Sequence, residues 1–527
     1  MKLNAAYEAI AKHINSPRKN KVALFWEGEN GEKVQFSFLQ IDLLASKFGN
    51  MLKSLGIQRR DRVFFFLPRV PELYFGFLGT LKIGAIAGTM FSAFGPQAIE
   101  DRLGNSGAKI LITTTDLQER VDKVRRNLPR LKEILTVDGD KFKTLLAKSS
   151  DDLKITETNA EDPAFMLYTS GTTGKPKGIV HVHKAILHEQ KTAQLALDIK
   201  DTDIYWCTAD PGWVTGIAYE ILGTWSIGAS TVVYAGRFEP KKWYQIIEDY
   251  KVNVWYTAPT AIRLLAAAGV ELVKKYDLSS LRYLASVGEP LNPEPIKWGK
   301  KAFGLLFHDN YWQTETGGIV ICNRPELEIR PGSMGKPVPE ITAAIMSDKG
   351  EILGPNKIGK LVLKPGWDSM MRKIWHRPEK YKSYFEHGWY VTGDLAYRDN
   401  DGYFWFVGRA DDVIKTSGER VGPFEVESAL ISHPSVVEAG VIGKPDPMRG
   451  EIIKAFVVLK KEMKATEALK EELSQHVKKH LAGHAYPKEI EFIDKLPKTR
   501  SGKIMRRILK AKELGLPIGD TSTLEEY

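Results

Sequence analysis

Cysteine is nearly absent. The 527 residues hold two, Cys207 and Cys322, far apart and outside any Cys-x-x-Cys pair, which argues against a disulfide framework or a zinc site and for a reducing compartment. Long apolar runs are missing as well. No uncharged stretch reaches the roughly 18 residues of a membrane-crossing helix, and the first residues, MKLNAAYEAIAKHINSPRKNK, lack the apolar core of a secretory leader. Concentrated basic charge is the third absence. The 75 lysines and arginines exceed the 65 acids by a formal +10, but they are scattered, so an anionic small molecule is the expected partner and nucleic acid is not. A cytoplasmic protein without a membrane span is expected, and no internal repeat or low-complexity tract is found.

With 43% hydrophobic and 27% charged residues the composition is that of a globular protein, and the length calls for two or more domains. Helical patterns at 39–56, after Pro71, at 96–105 and at 185–197 alternate with apolar, strand-like runs at 62–67, 84–90, 109–113 and 163–168. Further strands are expected at 230–234, 253–256, 281–287 and 305–311. Such alternation predicts parallel sheets covered by helices. The strands 163–168, 281–287 and 305–311 each run into a polar, glycine-bearing turn, and three such ends in one sheet are expected to converge on one ligand. From 319 to about 410 short strands with Gly and Pro turns predict a smaller β-rich subdomain. A separate module follows, with helices at 423–431 and 466–481 and strands at 436–442 and 452–459.

The turn after 163–168 is the richest in chemistry. The run YTSGTTGKPKG at 168–178 gathers Thr169, Ser170, Gly171, Thr172, Thr173, Gly174, Lys175 and Lys177. Glycines free backbone N–H groups to face an anion, hydroxyls add donors, and ammonium groups balance charge. A phosphate-loop ATPase needs four residues between its glycine and the Gly-Lys pair, then Ser or Thr; here two intervene and Pro176 follows Lys175. A nucleotide-phosphate loop of another kind is implied.

Taken in order, TSGTTGKPKG from Thr169, WQTE from Trp312, YVTGD from Tyr390, GRADD from Gly408 and PKTRSGKIMRR from Pro497 resemble the acyl- and aryl-adenylate-forming superfamily over nearly the whole chain. The resemblance implies an α/β fold: a large amino-terminal domain, 1–410, of helix-covered sheets with its β-rich subdomain, and a small mobile α+β carboxy-terminal domain, 411–527. It also implies ATP, Mg²⁺ and coenzyme A. The loop 169–177 would close over the β- and γ-phosphates; Gly288, Glu289 and Pro290 would bind adenine; Gln313 and Thr314 would lie at the nucleotide, with Thr314 on the α-phosphate and Glu315 holding Mg²⁺. Asp394 and Arg409 resemble the ribose pair, Asp411 the hinge, Arg420 a phosphate contact, Gly418 the small residue beside pantetheine, and Lys503 the catalytic lysine. Lysine in this context is a target of acetylation in relatives, so an acetyltransferase and deacetylase acting on Lys503 are implied partners.

Within the superfamily the resemblance is nearest to the AMP-forming acetyl-CoA synthetases. Val214 and Thr215 in GWVTG, Val287, and Trp312 match the acyl pocket, with the indole of Trp312 excluding long chains by volume, and Trp213 in the same turn is a candidate pocket wall. A short carboxylic acid is therefore expected, acetate first and propionate next, with a medium- or branched-chain acyl-CoA synthetase as the alternative and an ATP-binding sensor as the non-enzyme reading. His181, His183 and His188 cluster near the loop, but no cysteine or carboxylate completes a metal site and they are left unassigned.

Overall fold

The computed structural model describes the chain except residues 170–174, 417–418, 482–484, 500–503, 519–520, 522–523 and 525–527. Among the described residues the strands form four sheets. The first has a parallel core of Glu133–Thr136, Ile110–Thr113, Arg62–Leu67, Ile86–Phe91 and Pro163–Thr169, extended by antiparallel Lys177–Val182 and Lys373–Ile374. The second runs parallel through Val22–Glu27, Ser230–Tyr234, Ile204–Cys207, Val254–Thr257, Tyr283–Ser286 and Phe307–Tyr311, with antiparallel strands at both edges. Burial on both faces explains the unbroken apolar runs: every residue of Arg62–Leu67 after Arg62 is buried.

Helices fill the space between these sheets. One core cluster joins Leu24 and Val233 of the second sheet to Val63 and Phe65 of the first through the helices Phe38–Ser54 and Pro71–Lys82. Sequence sets both starts. Ser37 Oγ accepts from Gln40 N while Gln40 Oε1 accepts from Ser37 N, a reciprocal cap, and Pro71 opens the second helix where its missing N–H costs nothing. The helices cross closely at Gly79, where a Cβ would come within 2.4 Å of the Ala45 carbonyl oxygen.

Two expectations need correction. The three glycine-bearing strand ends do not share a sheet: Pro163–Thr169 belongs to the first, Tyr283–Ser286 and Phe307–Tyr311 to the second. Hydrophobic period distinguishes strand from helix but carries no information on which sheet a strand joins. The β-rich segment is also less independent than the span 319–410 implies. Its own sheet holds Ala343–Met346, Gly359–Leu363, Phe385–Glu386, Trp389–Arg398 and Phe404–Arg409, whereas Ile321–Cys322 and Lys336–Pro337 extend the second sheet and Lys373–Ile374 the first. The segment laces the other sheets together. A fourth sheet of Ile414–Thr416, Glu419–Val421, Val436–Asp446, Gly450–Leu459 and Glu489–Phe492, with helices Pro423–Ile431, Glu467–His480 and Arg506–Glu513, forms the small carboxy-terminal unit.

After the GWVTG turn the chain enters a π-helix, Gly216–Leu222, whose seven residues are all buried. Glu220 lies on it, with one oxygen accepting from Tyr74 Oη at 2.9 Å and the other without a partner. Burial, partly opposed by Arg69, pushes its carboxyl up to about 8. Between the ordinary carboxyl range and pH 8 the unfolded chain releases a proton that the folded chain keeps, so stability falls as pH rises through that window. Glu220→Gln should remove this slope and gain on the order of a few kcal/mol at pH 8 but little at pH 5. Denaturation midpoints at the two pH values check it; a slope unchanged in the variant would contradict it.

Candidate active site

A cavity of about 1310 Å³ opens where the carboxyl ends of both parallel sheets face each other, and the carboxy-terminal unit closes a third side. From the first sheet come Thr169 and Lys177, paired in register across the two strands that flank the glycine-rich loop. Residues 170–174 of that loop, Ser170, Gly171, Thr172, Thr173 and Gly174, lie outside the described residues. Thr169 Oγ1 is buried without a protein partner. Lys177 Nζ donates to Tyr384 Oη at 2.5 Å and lies 3.9 Å from Glu315 Oε1, and Tyr384 Oη donates to the same glutamate oxygen at 3.1 Å. Desolvation lowers the Lys177 pKa and Glu315 opposes the shift. Lys175 goes elsewhere. It is exposed, pairs with Asp101 at 3.5 Å, and does not line the cavity.

The second sheet supplies two turns. Gly288 has φ +99°, a conformation that favours glycine, and it swings Glu289 and Pro290 along the wall. The Glu289 carboxylate is occupied by protein, accepting from Thr260 N (3.1 Å), Thr260 Oγ1 (2.5 Å) and Arg263 Nη2 (2.9 Å). What the turn offers the cavity is therefore chiefly its backbone. In the other turn, Trp312 Nε1 donates to Tyr256 Oη at 3.2 Å, and the indole meets the Tyr219 ring edge-on with centroids 5.2 Å apart. These two contacts, to neighbouring tyrosines, hold the indole in place. Trp213, Val214, Thr215 and Val287 line the same cavity, with Trp213 also packed on Phe91.

Gln313 is engaged on every side. Its amide nitrogen donates to Thr392 O and Asp394 Oδ2, both at 2.9 Å, and its oxygen accepts from Tyr390 Oη at 2.8 Å. Asp394, 4% exposed, also accepts from Tyr311 Oη at 2.5 Å and lies 3.3 Å from Arg409 Nη1. That carboxylate is the main reason the Arg409 pKa is raised. Thr314 and Glu315 line the cavity, while Asp411, 3.8 Å from Arg409 Nε, sits outside it. Arg420 stands opposite Lys415 in a hairpin of the small unit; its side chain, Gly418 and Lys503 lie outside what is described. The neighbours of Lys503 are informative. Lys498, Thr499 and Ile504 line the cavity, and Lys498 pairs with Ile504 in a β-bridge that encloses the segment carrying Lys503.

The histidines are structural. His181 Nδ1 bonds to Ser369 O, His183 Nδ1 accepts from Ala5 N, and His188 Nε2 bonds to Ile319 O; burial holds all three below the ordinary imidazole range, His181 and His183 at about 4. Among the described residues no cluster of three metal-ligating side chains occurs.

Known proteins complete the picture. A family model described as AMP-binding enzyme matches residues 11–375, and one described as AMP-binding enzyme C-terminal domain matches 425–503. The chain belongs to the AMP-binding enzyme family. Relatives of this AMP-binding enzyme include acetyl-coenzyme A synthetase of Bacillus subtilis (strain 168), 54% identical over 100% of this chain and 93% of the relative, and that of Methanothrix thermoacetophila, 41% identical over 99% and 85%. Among solved structures, the anthranilate CoA ligase AuaEII in complex with anthranoyl-AMP superposes with a TM-score of 0.90 at 32% identity, covering 98% of both chains. Brucella canis acyl-CoA synthetase gives 0.76 at 38% identity over 98% and 95%.

Sequence reasoning missed Tyr384, Arg263, Glu438 and Lys498. Only Glu438 leaves a signal, an acid inside the apolar run 436–443. Asp394→Ala should leave the Tyr311, Gln313 and Arg409 donors without their acceptor and lower stability by about 1–3 kcal/mol. Asp394→Asn, which keeps an acceptor, should recover part of that. Equal chemical-denaturation midpoints for Ala and wild type would contradict it.

Proposed function

We propose that this AMP-binding enzyme is an AMP-forming acetyl-CoA synthetase, activating acetate through acetyl-adenylate and transferring the acetyl group to CoA. The observation that carries the reading is Trp312. Held by Tyr256 and Tyr219, its indole lines the same cavity as Val214, Thr215 and Val287, which supports its reading as a rigid wall that resists a longer chain at a cost of about 1–3 kcal/mol. The synthetases of B. subtilis and M. thermoacetophila support the same acid. A superposition of 0.90 on a structure that holds an acyl-AMP supports an arrangement suited to adenylation.

In the first half-reaction an acetate oxygen attacks the α-phosphorus of ATP, a P–O bond to the β-phosphate breaks, and pyrophosphate leaves. Both reactants are anions, so cations must offset their repulsion and the growing charge. Lys177 and Lys503 take that role, with Thr314 and the hydroxyls of the loop 169–174 as further hydrogen-bond donors, while Asp394 with Arg409 holds the ribose and the Gly288–Pro290 backbone faces adenine. Glu315 fits Mg²⁺: it is a hard oxygen donor on the cavity wall with one oxygen engaged by Tyr384 and no protein hydrogen bond to the other among the described residues. Bound there with ATP, the ion supplies charge neutralisation of the phosphates.

In the second half-reaction the CoA thiolate attacks the acetyl carbonyl, a C–S bond forms, and the C–O bond to AMP breaks. The unit from Asp411 onward turns about that residue to withdraw Lys503 and admit pantetheine beside Gly418, with Arg420 at the phosphates; the domain boundary is placed at 410/411. Acetylation of Lys503 by an acetyltransferase, reversed by a deacetylase, would remove its charge and silence the first step. No described helix is long and apolar enough to cross a membrane. Two free, buried cysteines support a cytoplasmic setting.

AMP release measured with ATP, Mg²⁺ and CoA across straight-chain acids from acetate to octanoate should be confined to the shortest acids, and Trp312→Gly should move it to longer ones by about tenfold or more. Wild-type preference for long acids would refute the pocket. Lys503→Ala should lose about a hundredfold in adenylation yet convert supplied acetyl-adenylate to the thioester. Equal loss of both steps would rule out its assigned role.

A further inference from the structure

Along the wall of the cavity, four buried charges form a line that crosses from the amino-terminal domain into the carboxy-terminal unit. Glu289 is paired with Arg263 at 2.9 Å, Arg263 Nε lies 4.0 Å from Glu438 Oε1, and both oxygens of Glu438 accept from Lys498 Nζ at 2.9 Å. All four side chains are 8% exposed or less. Of the three contacts in this line, Arg263–Glu438 is the one that crosses between the two parts, next to a crossing hydrogen bond from Asn292 Nδ2 to Ser428 Oγ at 2.6 Å. The Arg263–Glu438 contact itself has no hydrogen bond, and Arg263 Nε is buried without a partner. The two outer pairs are each internal to one part, Glu289–Arg263 to the amino-terminal domain and Glu438–Lys498 to the carboxy-terminal unit. Lys498 in turn closes the β-bridge with Ile504 that brackets the segment carrying Lys503.

We propose that Arg263 and Glu438 are positioning residues that seat the carboxy-terminal unit against the amino-terminal domain for the first half-reaction. The proposal rests on the reading of Lys503 as the group delivered to adenylation. The charge order is what makes the contact suitable. With the unit seated, alternating signs attract along the line in a water-poor interface. With the unit swung away, each part keeps a complete ion pair, so neither is left with an uncompensated buried charge. Seating is thereby favoured without being irreversible, as an enzyme that must release the unit before the second step requires.

The consequences are specific. Glu438→Gln puts a neutral amide between Arg263 and Lys498, so two cations face each other when the unit is seated and are solvated when it is not. Arg263→Lys keeps a cation for Glu289 but loses the second edge of the guanidinium that faces Glu438. Neither residue is required by the second half-reaction.

The test uses full-length wild type, Arg263→Lys, Glu438→Gln and the double variant, with the half-reactions assayed separately: acetate-dependent ATP–pyrophosphate exchange, and thioester formation from synthetic acetyl-adenylate and CoA. Each single change is expected to lower exchange about tenfold with thioester formation within about twofold of wild type, and the double variant to be no worse than the poorer single. Parallel loss of both half-reactions in Arg263→Lys, unchanged exchange, or additive losses in the double variant would overturn the proposal. Should Glu438→Gln fail to fold, Arg263→Lys carries the test. No exchange by the wild type would overturn the functional reading itself, a result distinct from any of these.

Discussion

The carboxylate of Asp394 receives the Tyr311 hydroxyl at 2.5 Å, the Gln313 amide at 2.9 Å and the Arg409 guanidinium at 3.3 Å, and it does so almost wholly out of water. A buried acid held by that many donors fixes the elements that supply them, because releasing a neutral donor leaves a buried acceptor unsatisfied and releasing Arg409 leaves a charge uncompensated. Here it ties the carboxyl end of Phe307–Tyr311 to the end of Phe404–Arg409, the last strand before the chain passes to the carboxy-terminal unit. The same rigidity reaches the phosphate side of the cavity. Gln313 is held by Tyr390, Tyr390 stacks on Tyr384 at 5.9 Å, and Tyr384 bridges Lys177 and Glu315. One continuous set of contacts thus sets the spacing between the ribose end and the phosphate end of the site.

Charge balance governs the rest. Joining two anions calls for cations, yet a cavity crowded with unpaired cations would not fold cheaply. Where the two parts meet, the structure answers by pairing buried charges with opposite ones on the same part of the molecule. Glu289 has Arg263, Glu438 has Lys498, and Glu427 takes two hydrogen bonds from Arg506. Lys177 is held less tightly, 3.9 Å from Glu315, and is available to an incoming phosphate.

Much of this was legible in the chain. Strand–turn junctions at 168, 287 and 311 were found because apolar runs ending in Gly and hydroxyl residues have a direct physical meaning, and almost every described residue inferred for the nucleotide and acyl sites does line one cavity, Lys175 apart. What the chain did not disclose was spatial. Membership of two different sheets depends on long-range pairing, as of Val22–Glu27 with Ser230–Tyr234, that no local pattern encodes. Lys175 and Lys177 look alike in sequence, but Lys175 sits in the bend before the strand, at the surface beside Asp101, whereas Lys177 is the first residue of the strand and reaches toward Glu315. Tyr384 was invisible because a tyrosine six residues before another carries no pattern until the hairpin stacks them. Glu220 carries no signal in sequence because an acid ordinarily reads as exposed, whereas it lies on a helix buried on every face.

Activation of an acid as its adenylate leaves an isotopic trace that no other route to a thioester shares. Acetate labelled with heavy oxygen in both carboxylate positions would be turned over with ATP, Mg²⁺ and CoA, and the products separated for mass analysis. One labelled oxygen should appear in AMP and none in pyrophosphate. Label in inorganic phosphate with ADP as the co-product would mean an acyl-phosphate route and would contradict the assignment of this cavity to adenylation.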